Sequence, residues 1–216
     1  MMIKPKQSGF TLIEMIVSLG VFSIVVTVAI GALLVLVAAN EQLQGEQSVM
    51  TNLSFALDSM TREIRTGTNY YCDSRPDNQG SNNIFADTNN LDTIIGTNGY
   101  QDCAGQANTG SVLHGVAFVE GGNSISGGNE RILYFYNRNT GQLFRRVGVG
   151  DAVSIVSSDI WIHEADFYVS GSAPQSDGDP DQAIVTIYVQ ASDSEDTPVE
   201  ERYNIQTSVS QRTLDI

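Results

Sequence analysis

The chain has 216 residues, 41% of them hydrophobic, with 25 Asp and Glu against 11 Lys and Arg, for a formal net charge of −14. That length accommodates one soluble domain with its own core and leaves residues for a segment outside it. So acidic a surface repels phosphate backbones, which nucleic-acid binders neutralise with clustered Lys and Arg, so direct nucleic acid binding is disfavoured.

In chain order, the only lysines come first, at Lys4 and Lys6, and an apolar run follows over residues 10–39 with Glu14 as its single charge. The run exceeds the ~20 residues a helix needs to cross a bilayer and the ~7–15 of a secretory hydrophobic region, so it predicts a membrane-spanning helix. No basic residue follows Lys6 until Arg62. The positive-inside bias therefore places the N-terminus in the cytoplasm and the downstream head outside, in an oxidising compartment. A carboxylate within lipid is costly and usually functional. The plainer alternatives are a signal anchor with an incidental Glu14, or signal-peptidase cleavage after Val37-Ala38-Ala39.

The stretch Lys4-Pro5-Lys6-Gln7-Ser8-Gly9-Phe10-Thr11-Leu12-Ile13-Glu14 resembles the type IV prepilin leader. The resemblance implies that a prepilin peptidase cuts between Gly9 and Phe10 and methylates the new Phe10 amine. It also implies that, in a filament, Glu14 pairs with the Phe10 amine of a neighbouring subunit. The physics agrees: glycine can take up an extended, accessible backbone before a helix, and a carboxylate four residues from the amine shares its helix face and opposes the helix dipole. In lipid before assembly, Glu14 is tolerated by protonation or by pairing with its own amine. In the filament the pair sets register more than it adds net stability.

Past Asn40, the residues Val49, Leu53, Ala56, Leu57, Met60 and Ile64 recur at spacings of three and four, which predicts an amphipathic continuation with its stripe on a core. With no proline between Pro5 and Pro76, one helix over residues 10–65, some 80 Å long at 1.5 Å per residue, is expected. The domain plan is thus a leader at 1–9, a membrane or filament-core helix at 10–39 and an amphipathic helix at 40–66, followed by an irregular region at 67–111 and a β-sheet head at 112–216. Gly20 and Gly31 weaken the first helical half by about 1 kcal/mol each. Many major pilins carry a proline near the position of Gly31, and this departure points to a minor subunit.

Residues 66–111 are rich in Asn, Asp, Gly and Ser and read as a long irregular connection, with a short strand at 92–95. The two cysteines, Cys72 and Cys103, lie here. Outside the cytoplasm they can close a loop of about 30 residues, a bridge worth roughly 3 to 4 kcal/mol in the chain-entropy model; two unpaired thiols are the alternative. Strand-like runs follow at 112–119, 131–137, 142–147, 161–169, 183–191 and 203–209, with Asn139-Thr140-Gly141 as a hairpin turn. A helix followed by an antiparallel sheet predicts an α+β fold in which one sheet face packs on one helix. The runs Ile132-Leu133-Tyr134-Phe135-Tyr136, Leu143-Phe144-Arg145-Arg146 and Gln206-Thr207-Ser208-Val209-Ser210-Gln211-Arg212 resemble the J-type pseudopilin and the W-type minor pilin.

Three clusters invite chemical readings. The alternate aspartates Asp177, Asp179 and Asp181 can offer oxygens to calcium, as loops of some pseudopilins do, but the EF-hand spacing is missing and a solvated acidic turn is the simpler reading; no cofactor is required. His163 precedes Glu164 and Asp166, which strict strand alternation would send to the opposite face, and His114 is distant in sequence, so both histidines read as packed or surface residues. Gly121-Gly122-Asn123 and Gly127-Gly128-Asn129 lack the P-loop lysine and read as turns. No catalytic residues emerge and no enzymatic activity is expected.

The resemblance implies a minor subunit that helps to initiate a type IV pilus or a type II secretion pseudopilus or sits near its tip. Its implied partners are the prepilin peptidase/methyltransferase, other pilin or pseudopilin subunits, the inner-membrane assembly platform and, before assembly, membrane lipid. The competing classes are a filament-displayed adhesin that recognises substrate through residues 66–111, and an unprocessed membrane-anchored protein.

Overall fold

The computed structural model describes residues 9–73, 84–85, 91, 95, 99–104, 112–121, 131–173, 178–179, 181–196 and 198–212. The chain divides into two compact units, Met1–Gly45 and Glu46–Ile216. The helix α1 spans Leu12–Thr66, 55 residues, within two residues of the expected ends.

In the first unit α1 is the whole described structure beyond residue 11. The large apolar side chains from Phe10, just before the helix, to Val37 are exposed, Val26 alone being intermediate. Its hydroxyls are satisfied internally: Ser18 Oγ donates to the Glu14 carbonyl, Ser23 Oγ to Leu19 at 2.8 Å and Thr27 Oγ1 to Ser23 at 2.8 Å. Back-bonding to the preceding turn is how polar side chains are accommodated where water is absent.

In the second unit, residues 46–66 of α1 bury Val49, Leu53, Ala56, Leu57, Met60 and Ile64, the six positions that the helical period singles out. Among the described residues nine strands follow: β1 Thr68–Asp73, β2 Cys103–Ala104, β3 Leu113–Val119, β4 Arg131–Asn137, β5 Gln142–Val147, β6 Val153–Ser154, β7 Trp161–Ser170, β8 Ile184–Ser192 and β9 Tyr203–Ser210. The fold is α+β and pilin-like, but with two antiparallel sheets where one was expected. One has the order β1-β3-β4-β5-β6 and the other β2-β7-β8-β9. The helix stripe packs with inward residues of both, including Phe118, Tyr134 and Ile132 from the first sheet and Phe167, Ile187 and Val189 from the second.

The region expected to be irregular contributes two strands, β1 and β2, and a second core. Ile84, Phe85, Leu91 and Ile95 are buried against Tyr71, Ala117, Leu133 and Phe135, the face of the first sheet turned away from α1. Strand β4 is therefore buried on both faces along six of its seven residues. Of the strand expected at 92–95 only Ile95 is described, and it is helical. Arg146 holds this cover in place: its guanidinium donates to the Ile84 carbonyl and, at 3.0 Å, to that of Phe85, while lying 5.6 Å over the Phe135 ring. The Asp73 carboxylate accepts the Ile84 N–H at 3.2 Å.

Helix and first sheet are clamped by a polar cluster. Arg145 makes a bidentate pair with Glu63, Nε to Oε2 at 2.9 Å and a terminal nitrogen to Oε1 at 3.0 Å, and Tyr134 Oη donates to Glu63 Oε2 at 2.7 Å. Burial, and then the hydrogen bond to Glu63, raise the Tyr134 pKa above its ordinary value. The expected turn lies at residues 138–141, where Gly141 has φ +60° and the Trp161 ring packs on it so closely that a Cβ would meet ring atoms at 2.5 Å; only glycine fits.

Candidate processing and assembly site

Gly9 and Phe10 precede the helix, both exposed, Phe10 by 75%. Helical backbone begins at Leu12, so Thr11 is the N-cap and Glu14 is the third helical residue. The Thr11 N–H and hydroxyl approach Glu14 Oε2 at 3.4 and 3.3 Å, and the Glu14 N–H donates to Thr11 Oγ1 at 3.4 Å. This reciprocal arrangement is a capping box. The expected pairing of Glu14 with a Phe10 amine belongs to the cleaved chain; with the Gly9–Phe10 peptide intact there is no amine, and Thr11 occupies the Glu14 carboxylate. The Thr11-x-x-Glu14 spacing is the local sequence signal for this cap. Its consequence is that the carboxylate already sits at the positive end of the helix, against Thr11, the residue that follows the nitrogen cleavage would convert to an amine. The leader residues Lys4, Pro5, Lys6, Gln7 and Ser8 lie outside the described residues.

Cys72 and Cys103 form a disulfide with Cα atoms 5.7 Å apart. It joins β1 of the first sheet to β2 of the second. The segment between β1 and β7 is stitched further by Cys72 N–H to the Gln101 carbonyl at 3.0 Å and Gln101 N–H to the Tyr70 carbonyl at 2.9 Å.

Of the acidic turn, Asp177 and Pro180 lie outside the described residues. Asp179 Oδ1 accepts the Asp181 N–H at 2.9 Å, which commits that oxygen to the turn itself. Among the described residues no group of three or more His, Cys, Asp or Glu side chains is placed to hold a metal.

His163 lies at a bulge: register shifts between Ile162 and Glu164, and Ile162 and Ala165, three apart, are both buried. The strict alternation expected of this strand therefore does not hold at His163. His163 Nε2 lies 2.7 Å from Ser192 Oγ. Its pKa is lowered, first by burial and then by the charge of Arg202.

The structure also brings together a pair that sequence order hides. His114 on β3 and Asp166 on β7 are 2% and 3% exposed, with Nε2 to Oδ1 at 3.4 Å. His114 Nε2 also contacts the Ala165 carbonyl, and its ring meets Tyr136 and Phe167 edge-on. It belongs to a series in which side chains of the first sheet serve carbonyls on β7 and just before it. Gln142 donates to Ile160 at 2.9 Å, and Tyr136 Oη contacts the carbonyls of Ile162 and His163 at 2.8 and 3.0 Å. Enclosed between the sheets, His114 and Asp166 act as a strut.

Residues 4–30 match the family model described as a prokaryotic N-terminal methylation motif. No curated protein and no solved structure matches the chain.

Proposed function

We propose that this chain, which carries a prepilin-type methylation motif ahead of one long apolar helix and so fits a type IV pilin-like protein, works as a minor subunit of a type IV pilus or type II secretion pseudopilus. In this reading the leader is removed after Gly9, Phe10 is methylated, and the head stays outside the cytoplasmic membrane until the subunit joins a filament near its tip. The role is structural and not enzymatic. The observation that carries it is the methylation motif joined to a helix whose apolar side chains are left exposed through Val37. Such a surface is stable only in lipid or among other apolar helices. The J-type and W-type resemblances of the strands support the minor-subunit reading.

Glu14 then has two successive partners. In the precursor it closes the capping box with Thr11; after cleavage the Phe10 amine, its own or a neighbour's, competes for the same carboxylate with a full charge. Mass spectrometry of the mature chain should find N-methyl-Phe10 at its start. A chain that still begins with its leader overturns the reading. Glu14→Ala should be cleaved normally yet fail to enter sheared filaments; incorporation equal to that of the unaltered chain would remove the pairing role.

The described residues of the 66–111 region favour structural cover over displayed recognition, because Ile84, Phe85, Leu91 and Ile95 are buried against the sheet.

A further inference from the structure

The second unit has two unlike ends. Strand β9 runs beside α1, with Tyr203 near Glu46 and the Arg212 N–H donating to the Arg65 carbonyl at 2.8 Å. Eight residues of extended chain separate these ends by about 25 Å.

At the Arg212 end, Arg62, Arg65 and Arg212 line an open cleft of about 510 Å³ together with Asp58, Thr207 and Ser210. Asp58 pairs with Arg62 at 3.0 Å, which leaves a net charge of +2 from Arg65 and Arg212. Such a concentration is unusual in a chain of net charge −14. At the Tyr203 end, the connection from β8 to β9 exposes Asp193, Glu195, Asp196 and Glu201, and Glu46 lies beside them. Arg202 is the basic residue there, and it donates to Gln190 Oε1 at 3.2 Å. The Tyr203 hydroxyl registers this acidity: its pKa is raised by burial, then by the Glu46 hydrogen bond and the charges of Glu46, Asp193 and Glu201.

We propose that the Arg62–Arg65–Arg212 cleft is a docking site for the acidic β8–β9 connection of a second copy of this chain, in a head-to-tail contact. Arginine forks and the cleft's hydroxyls suit carboxylates and extended backbone. A head-to-tail contact of this kind is heterologous: each head offers its cleft to one neighbour and its acidic connection to another. The inference deepens the filament-subunit reading and rests on it for its setting.

The test uses the full chain in detergent, carrying Ser210→Cys and Ser194→Cys. Mild oxidation should yield a ladder of dimers and higher species that fades at 1 M salt, where the Debye length is about 3 Å. The charge reversals Arg65→Glu and Arg212→Glu together should abolish the ladder, and adding Glu195→Arg and Asp196→Arg should restore it, a rescue that misfolding cannot give. No ladder, or a ladder indifferent to these charges, overturns the proposal. So does a ladder that forms only when residues 213–216 are deleted, which assigns the cleft to the chain's own tail. Finding N-methyl-Phe10 in the same material keeps the filament reading standing if the docking site fails.

Discussion

Tyr136 shows how a single hydroxyl can join two sheets. It projects from β4 to the carbonyls of Ile162 and His163, which flank the bulge in β7. Burial is the first cause that pushes its pKa up to about 12, with the Glu164 charge adding to it against Arg138. The unfolded chain releases this proton near pH 10, so between about pH 10 and 12 the folded state binds more protons and stability falls as pH rises. Tyr136→Phe removes a donor from the buried Ile162 carbonyl and the half-buried His163 carbonyl and should cost about 1–3 kcal/mol near neutral pH, read by unfolding through Trp161, the single tryptophan. It should also make the alkaline decline shallower; an unchanged decline would mean that the other buried tyrosines account for it. Residues such as Tyr136 and His114 were readable as strand residues, but their partners lie 26 and 51 positions away, and no local pattern announces them.

Among the elements, those with a strong period were legible. Strands β4 and β5 have the expected bounds, and β3, β7, β8 and β9 differ by a residue at one or both ends, because alternation is imprinted by a buried face. The missed strands are β1, set in a stretch rich in Asn and Asp, and the two-residue β2 and β6, too short to carry any period. The cover over the outer face of the first sheet was missed for a related reason: four apolar residues spaced along a polar segment look like a loop until a sheet lies beneath them. Arg146 is its anchor, and burial lowers the guanidinium pKa, the cost of placing a charge there. Arg146→Ala removes charged hydrogen bonds to two buried carbonyls and should destabilise by about 3 kcal/mol, with increased binding of a hydrophobic dye as Leu133 and Phe135 lose their cover. Unchanged unfolding and dye binding would mean that the apolar contacts suffice.

At the scale of the whole molecule, the disulfide and the polar contacts between the sheets hold together a head whose sheets share one core with α1. Cys72 and Cys103 are 31 apart in sequence, and the closed loop should contribute roughly 3–4 kcal/mol. Replacing both with serine should lower the urea midpoint accordingly while leaving N-terminal processing intact, since Gly9, Phe10 and Glu14 belong to the other unit; loss of processing would show that the head is needed for recognition by the peptidase. The sequence by itself determined the apolar helix, its methylation motif, the amphipathic stripe and most strands, because each is written in the spacing and charge of neighbouring residues. Only the tertiary structure decided the division into two sheets, the burial of His114 beside Asp166, the cover over the first sheet and the unlike ends of β9. Those depend on where the chain returns to itself, and that is governed by packing between segments whose local patterns are alike.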